Sequence, residues 1–219
     1  MGDETDPDPW EEVMTTTSAA PRIAGAETPA SAEPRLLASW AKGEWVTAAG
    51  GFVDIPSAID GRIVARASSA GLDFAGMVRF AREVGGPALR AMTFHERADR
   101  LKALAAHLTE HKAELHALAL DTGATRRDNM IDIEGGIGTL YAYASRGRRE
   151  LPSERFVIDG AVEGLSKTGS FVGLHVVTPL EGVAVHVNAF NFPCWGLLEK
   201  LAPAILAGMP IITKPATAT

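Results

Sequence analysis

The stretch Val183-Ala-Val-His-Val-Asn188-Ala-Phe-Asn191-Phe-Pro193-Cys-Trp195-Gly-Leu-Leu-Glu-Lys-Leu-Ala-Pro203-Ala-Ile-Leu-Ala-Gly208-Met-Pro-Ile-Ile-Thr-Lys214-Pro-Ala-Thr217-Ala-Thr219 decides the fold. Val183–Val187 is a short apolar run that ends in polar Asn188, the pattern of a parallel strand buried on both faces. Phe192-Pro193 then opens a helix, because proline suits the first helical position, where its missing N–H is not needed. Leu197, Leu198, Leu201, Ile205 and Leu206 fall on one side of that helix, and Glu199 and Lys200 point elsewhere. Pro203 inside it costs about 3 kcal/mol unless a kink or a boundary accommodates it. Gly208 ends the helix, and Pro210–Thr213 is the next strand. A strand–helix–strand of this kind belongs to the α/β class.

The ends of these strands carry the chemistry. Asn191 stands at the mouth of the helix, where a side-chain amide can donate a hydrogen bond beside the positive dipole end, as an oxyanion hole requires. Lys214 sits at the carboxyl end of its strand, where open α/β sheets bind ligands, and can hold a ribose hydroxyl or a phosphate. Cys194, the chain's one cysteine, lies at the helix start, where the dipole would lower its pKa. Phe192 and Trp195 beside it are apolar, so a buried filler is the competing reading. On spacing alone, a nucleotide site and a plain scaffold both remain open.

Upstream, Arg155–Ile158 and Phe171–Thr178 read as a pair of strands, with Asp159-Gly160 and Thr168-Gly169 as turns. Before them come helical segments. Asp73 offers an N-cap for a helix to about Val84, ended by Gly85-Gly86. Thr93 or its neighbours start a longer one, with Leu101, Leu104, Leu108, Leu115 and Leu118 on one face and Gly123 as its stop. A third runs from about Arg126 to Arg146, carrying Met130, Ile131, Ile137, Leu140, Tyr141 and Tyr143, with Gly147 as terminator. Its internal Gly135, Gly136 and Gly138 each cost about 1 kcal/mol against Ala, so they permit close packing or a local break. Nearest the start, Leu36–Trp40 reads as a helical turn and Gly43–Val46 as a strand. Gly51–Ile55 and Arg62–Arg66 form a meander around Asp60-Gly61.

Charge is uneven. Residues 1–34 hold eight acidic side chains and one Arg, a balance of −7, so the remaining residues sum to +1 of the total −6. The first 34 residues read as a disordered acidic tail, either an interaction arm or a solvated leader. The rest lacks the basic field that nucleic acid requires. No apolar run approaches the ~18 residues of a membrane span. A single cysteine excludes an internal disulfide and fits a reducing, cytoplasmic setting.

Two motifs invite a reading that their context does not support. His107-Leu-Thr-Glu110-His111 matches the H-x-x-E-H pattern of inverted zincins, but nothing in the sequence nearby completes a metal site, so no metal is expected. Gly136-Ile-Gly138 begins like a dinucleotide fingerprint, yet position 141 is Tyr and no strand precedes it; helix packing is the expected role.

Asn191-Phe-Pro193 resembles the N-F-P motif of the aldehyde dehydrogenase superfamily, and Lys214-Pro215 its strand-ending lysine motif. Ala88-Leu-Arg-Ala-Met-Thr-Phe-His-Glu-Arg97, Thr122-Gly-Ala-Thr-Arg126, Ile131-Asp-Ile-Glu-Gly-Gly-Ile-Gly-Thr139 and Asn188–Gly196 closely resemble the PaaZ/PaaN-type branch of aerobic phenylacetate breakdown (oxepin-CoA hydrolase plus semialdehyde dehydrogenase). The benzoyl-CoA pathway semialdehyde dehydrogenase is similar too.

The resemblance covers about Leu36 to Thr219 and implies the N-terminal part of that fold: an incomplete Rossmann-type sheet with helices and a β-arm. Residues 155–178 would be the oligomerisation arm of a homo-oligomer, and 183–214 the first cofactor-domain unit. Asn191 would stabilise the oxyanion formed when a cysteine thiolate attacks an aldehyde, here a semialdehyde linked to CoA. Asn188, Ala189, Phe190 and Asn191, with Lys214, Pro215, Ala216 and Thr217, would line the NAD(P) cleft. Thr217 falls where many NAD-preferring relatives carry Glu; without that carboxylate a 2′-phosphate is not repelled, which favours NADP over NAD. Cys194 does not match the family nucleophile, which, with the general-base Glu, falls after the last residue. The alternative implied is a catalytically inactive binding or oligomerisation module.

Overall fold

Three helices built on small residues form the core, and the strands are arranged around them. The computed structural model describes residues 33–218; the acidic tail expected over 1–34 lies, except for its last two residues, outside the described residues. Five short strands come first: β1 (Arg35–Leu36), β2 (Ser39–Ala41), β3 (Glu44–Val46), β4 (Val53–Pro56) and β5 (Ile63–Ala67). β4 pairs antiparallel with β5, β1 runs parallel to β5, and β2–β3 is a separate hairpin. The helical turn expected over Leu36–Trp40 is therefore extended. Trp40 pairs with Trp45 across the hairpin, their rings edge to face at 5.2 Å, a contact that suits strand geometry.

Asp73 caps α1 (Phe74–Phe80), accepting from the Gly76 N–H at 2.8 Å. The expected stop at Gly85-Gly86 does not occur. A π-helical turn (Ala81–Gly85) leads directly into α2 (Gly86–Ala91). Both glycines keep right-handed helical dihedrals, and Pro87 follows Gly86 in the first turn, where proline is tolerated.

Thr93 opens α3 (Phe94–Glu110) with a capping box: the Glu96 N–H donates to Thr93 Oγ1, and the Thr93 N–H to Glu96 Oε2. Two unpaired donors of the first turn are thus satisfied reciprocally. The chain breaks at His111 before α4 (Lys112–Ala119) and a short 3₁₀ turn (Leu120–Thr122), and left-handed Gly123 closes it. The break rotates the apolar stripe. Leu101 is buried and Leu104, Leu108 and Leu115 pack against the core, while Leu118 faces solvent.

α5 runs from Arg126 to Glu150, through Gly147 rather than ending there. Its buried face is Asn129, Asp132, Ile133, Gly136, Ile137, Leu140, Ala144 and Gly147. Met130, Ile131 and Tyr141 lie on the exposed side. Phe94, Ala98, Leu101 and Ala105 of α3 meet Ile133, Ile137, Leu140 and Ala144 of α5 and Leu198, Ala202 and Leu206 of α6 (Pro193–Leu206). Gly147 shows how closely they approach: a Cβ there would lie 2.8 Å from Leu206 Cδ1 and 3.2 Å from Ala98 Cβ. Arg97 is 0% exposed and lies 4.4 Å from the Phe94 ring centroid. That cation–π contact offsets part of the cost of burying its charge.

β6 (Val157–Gly164) and β7 (Val172–Val177) form an antiparallel hairpin. Asp159-Gly160 is no turn; it sits within β6 at a register shift, with Gly160 at φ +82°, so the bulge takes the left-handed residue. Ile158, Val162, Phe171, Leu174 and Val176 are all exposed along this arm. β8 (Ala184–Val187) and β9 (Ile211–Lys214) are parallel and joined through α6. β8 is not buried on both faces: Val187 is 72% exposed, since β9 is its one neighbour among the described residues. Pro203 remains inside α6. Among the described residues, no helix is long and apolar enough to cross a membrane.

Candidate functional site

The parallel register of β8 and β9 brings Val187 opposite Lys214, so both strands end on the same side. Asn188 fastens that end. Its backbone N–H donates to the Lys214 carbonyl at 3.0 Å, and its side-chain Nδ2 donates to Thr213 Oγ1 at 2.9 Å. Its Oδ1 accepts from Lys200 Nζ of α6 at 3.3 Å. Asn188 is 7% exposed, and these bonds satisfy its amide in the way burial demands. Lys200 also donates to the Gly196 carbonyl and lies 3.5 Å from the Glu199 carboxylate.

From Asn188 the chain emerges to solvent. Ala189, Phe190 and Asn191 are exposed, and among the described residues the Asn191 amide has no hydrogen-bond partner. Phe192 follows at φ +51°, a left-handed conformation for a non-glycine residue, which costs roughly 1–2 kcal/mol. It occupies the N-cap of α6 and contributes no side-chain cap.

The cap comes from Asp132 in α5. Its Oδ2 accepts from the Cys194 N–H at 3.2 Å and its Oδ1 from the Trp195 N–H at 2.7 Å. The sequence reading missed this residue, though a signal was present: Asp132 shares the helix face of Gly136 and Leu140, where an apolar side chain is expected. Opposite it, a Cβ on Gly135 would lie 2.7 Å from the Trp195 ring, and one on Gly136 would lie 3.1 Å from Leu198 Cδ1. Gly135 and Gly136 are therefore part of a helix contact, whereas Gly138 faces open space.

Asp132 also decides the state of Cys194. Burial, and then the neighbouring Asp132 charge, push the thiol up to about 11. The lowering expected from the helix dipole is overridden, because a carboxylate already occupies the positive end. His186, in β8, is pushed down by burial and then by Lys200, and its Nδ1 has no hydrogen-bond partner among the described residues.

Lys214 is exposed at the strand end. Its Nζ donates to the Pro215 carbonyl at 2.8 Å and to Thr217 Oγ1 at 3.3 Å. Among the described residues it pairs with no carboxylate. Elsewhere, His107, Glu110 and His111 form a group of potential ligands on α3, remote in sequence from the strand ends.

Residues 45–219 match the model of the aldehyde dehydrogenase family. The chain belongs to that family. Over 184 residues it is 44% identical to the 3,4-dehydroadipyl-CoA semialdehyde dehydrogenase of Aromatoleum evansii, covering 84% of this chain and 36% of the relative. Over 124 residues it is 32% identical to the NADP-dependent glyceraldehyde-3-phosphate dehydrogenase of Pisum sativum, covering 56% of this chain and 24% of that enzyme. The lactaldehyde dehydrogenase structure from Escherichia coli superposes with a TM-score of 0.68 at 20% identity, over 85% of this chain and 38% of that one. The fold is thus that of an aldehyde dehydrogenase N-terminal part. The chain spans about a third or less of these relatives. Within this aldehyde dehydrogenase segment, Asn188–Asn191 and Lys214–Thr217 lie at the shared end of two parallel strands, and Cys194 is set behind them against Asp132.

Proposed function

We propose that this segment serves an NAD(P)-dependent aldehyde dehydrogenase that oxidises a CoA-linked semialdehyde to its acid, in aromatic degradation of the phenylacetate or benzoate type. The observation that carries the reading is the 44% identity to a relative named for a CoA semialdehyde. Asn191 is the oxyanion donor: its exposed, unpaired amide is free to point at a carbonyl oxygen as negative charge develops there. Cys194 is not the nucleophile, because its thiol is held protonated at neutral pH.

The donor set at the strand ends fits a dinucleotide. The Lys214 ammonium is exposed and, among the described residues, unpaired with any carboxylate, and Thr217 beside it is a neutral hydroxyl. A ribose hydroxyl or a 2′-phosphate suits that pair, and the absence of a carboxylate favours NADP. When bound, the nicotinamide supplies a hydride acceptor. The chain's own contribution is to seat the adenosine end at Lys214, Pro215, Ala216 and Thr217, beside Asn188–Phe190, and to present Asn191 to the aldehyde. The exposed apolar β6–β7 arm is the surface through which copies assemble into a homo-oligomer. A cytoplasmic setting follows from the cysteine usage.

A chimera tests the reading. Residues 36–219 would replace the equivalent part of the Aromatoleum evansii enzyme, and nicotinamide reduction would be followed with 3,4-dehydroadipyl-CoA semialdehyde. Turnover is expected, faster with NADP than NAD, with kcat reduced about 10²–10³-fold in Asn191→Ala. A folded chimera that oxidises free aldehydes but not the CoA thioester would overturn the substrate assignment. Unchanged kcat in Asn191→Ala would overturn the role of Asn191.

A further inference from the structure

We infer that His107, Glu110 and His111 form a binding site for one divalent transition-metal ion of the zinc, nickel or copper(II) type, independent of the dehydrogenase site. The expectation from sequence was that no metal binds, because nothing nearby in sequence completes the pattern. The structure adds geometry to the three residues of the pattern itself. One ligand atom from each of the three side chains lies within 4.8 Å of the other two, so modest rotamer adjustment brings them onto one ion. His107 and His111 are four residues apart, and the His111 N–H still donates to the His107 carbonyl at 3.2 Å, so the two imidazoles share one face of the turn. The two rings stand 4.3 Å apart.

The hydrogen bonding suits ligation. His111 Nδ1 lies 2.9 Å from the His107 carbonyl oxygen. A carbonyl only accepts, so Nδ1 carries the proton and Nε2 holds the free lone pair. Metal-bound histidines are commonly oriented by such a bond from the other ring nitrogen. Glu110 has no hydrogen bond or ion pair among the described residues, and the His107 ring has no hydrogen bond there. Lys112, the nearest cation in sequence, is drawn off to Glu134 on α5 at 3.1 Å, so it does not compete for Glu110. Two neutral imidazoles and one carboxylate suit a borderline ion better than magnesium or calcium, which prefer oxygen ligands. With three protein ligands, water completes the shell.

Isothermal titration of the 219-residue chain with Zn²⁺, and separately with Ni²⁺, at neutral pH tests this. One ion per chain is expected, with binding weakened at least about tenfold by His107→Gln or by His111→Gln. His116→Gln, which removes a histidine paired instead with Glu134, should leave binding unchanged. The exposed substitutions should keep the circular dichroism spectrum intact. No saturable binding to the unaltered chain would overturn the site. So would one-ion binding of undiminished affinity in the His107→Gln/His111→Gln double variant, which would show an ion held elsewhere.

Discussion

The carboxylate of Asp132 lies 2.7 Å from the backbone nitrogen of Trp195, a hydrogen bond between two helices whose partners are 63 residues apart in sequence. With the second bond to the Cys194 N–H, it replaces the cap that Phe192 cannot provide. Orientation of α6, and so of the Asn191 loop that enters it, depends on a residue in the second turn of α5.

Asp132→Ala should therefore destabilise the chain by about 1–2 kcal/mol, the range for losing an N-cap, with Asp132→Asn costing less because an amide oxygen still accepts. Chemical denaturation midpoints measure this. A change inside about 0.5 kcal/mol, the usual span of a surface substitution, would show that water caps α6 equally well.

Cys194 should resist alkylation. A thiol at about 11 carries roughly a hundredfold less thiolate at neutral pH than an ordinary one. Iodoacetamide labelling should be slow in the native chain and normal in denaturant, and Asp132→Asn should speed the native reaction. Rapid labelling of the native chain would contradict the burial described here.

The glycines of α5 should separate into two kinds. Gly147→Ala places a methyl 2.8 Å from Leu206 Cδ1 and should cost about 1–3 kcal/mol by overpacking. Gly138→Ala meets nothing within 4 Å and should stabilise by about 0.5–1 kcal/mol through lower backbone entropy in the unfolded chain. Thermal unfolding of the two variants should shift in opposite directions.

His186 should make stability depend on pH. Burial and Lys200 lower its folded pKa, so the unfolded chain takes up the proton first. Stability then falls as pH drops below the unfolded value of about 6.5, and the loss is complete below the folded value. His186→Gln should flatten the denaturation midpoint between about pH 7 and pH 5. An unaltered slope would assign the effect to other groups.

Residues with strong local signals were legible before the structure. Thr93 and Asp73 cap helices because a short polar side chain before an apolar run has one good conformation. Pro193 and Gly208 delimit α6 for the same local reason. What failed were readings that depend on tertiary contact. Gly85-Gly86 and Gly147 look like stops, yet a glycine stays in a helix when a neighbouring helix needs the space, as Leu206 needs Gly147. Asp159-Gly160 is a turn signal that the β6–β7 register absorbs as a bulge. Of the candidate site, the positions of Asn191 and Lys214 at element ends were legible. Asp132 was not, because a carboxylate inside a helix reads as surface until its partner, a distant pair of backbone N–H groups, is known.

The ammonium of Lys214 is already occupied by the Pro215 carbonyl and the Thr217 hydroxyl. The third ammonium proton is open to an incoming acceptor, and a ligand that draws on more than that one enters by exchange, releasing those two bonds as it forms its own. The net gain of such a swap is on the order of 1 kcal/mol or less. Discrimination at this lysine is accordingly a matter of which incoming group returns the most for the contacts it displaces, and a doubly charged phosphate exchanges more favourably than a neutral hydroxyl.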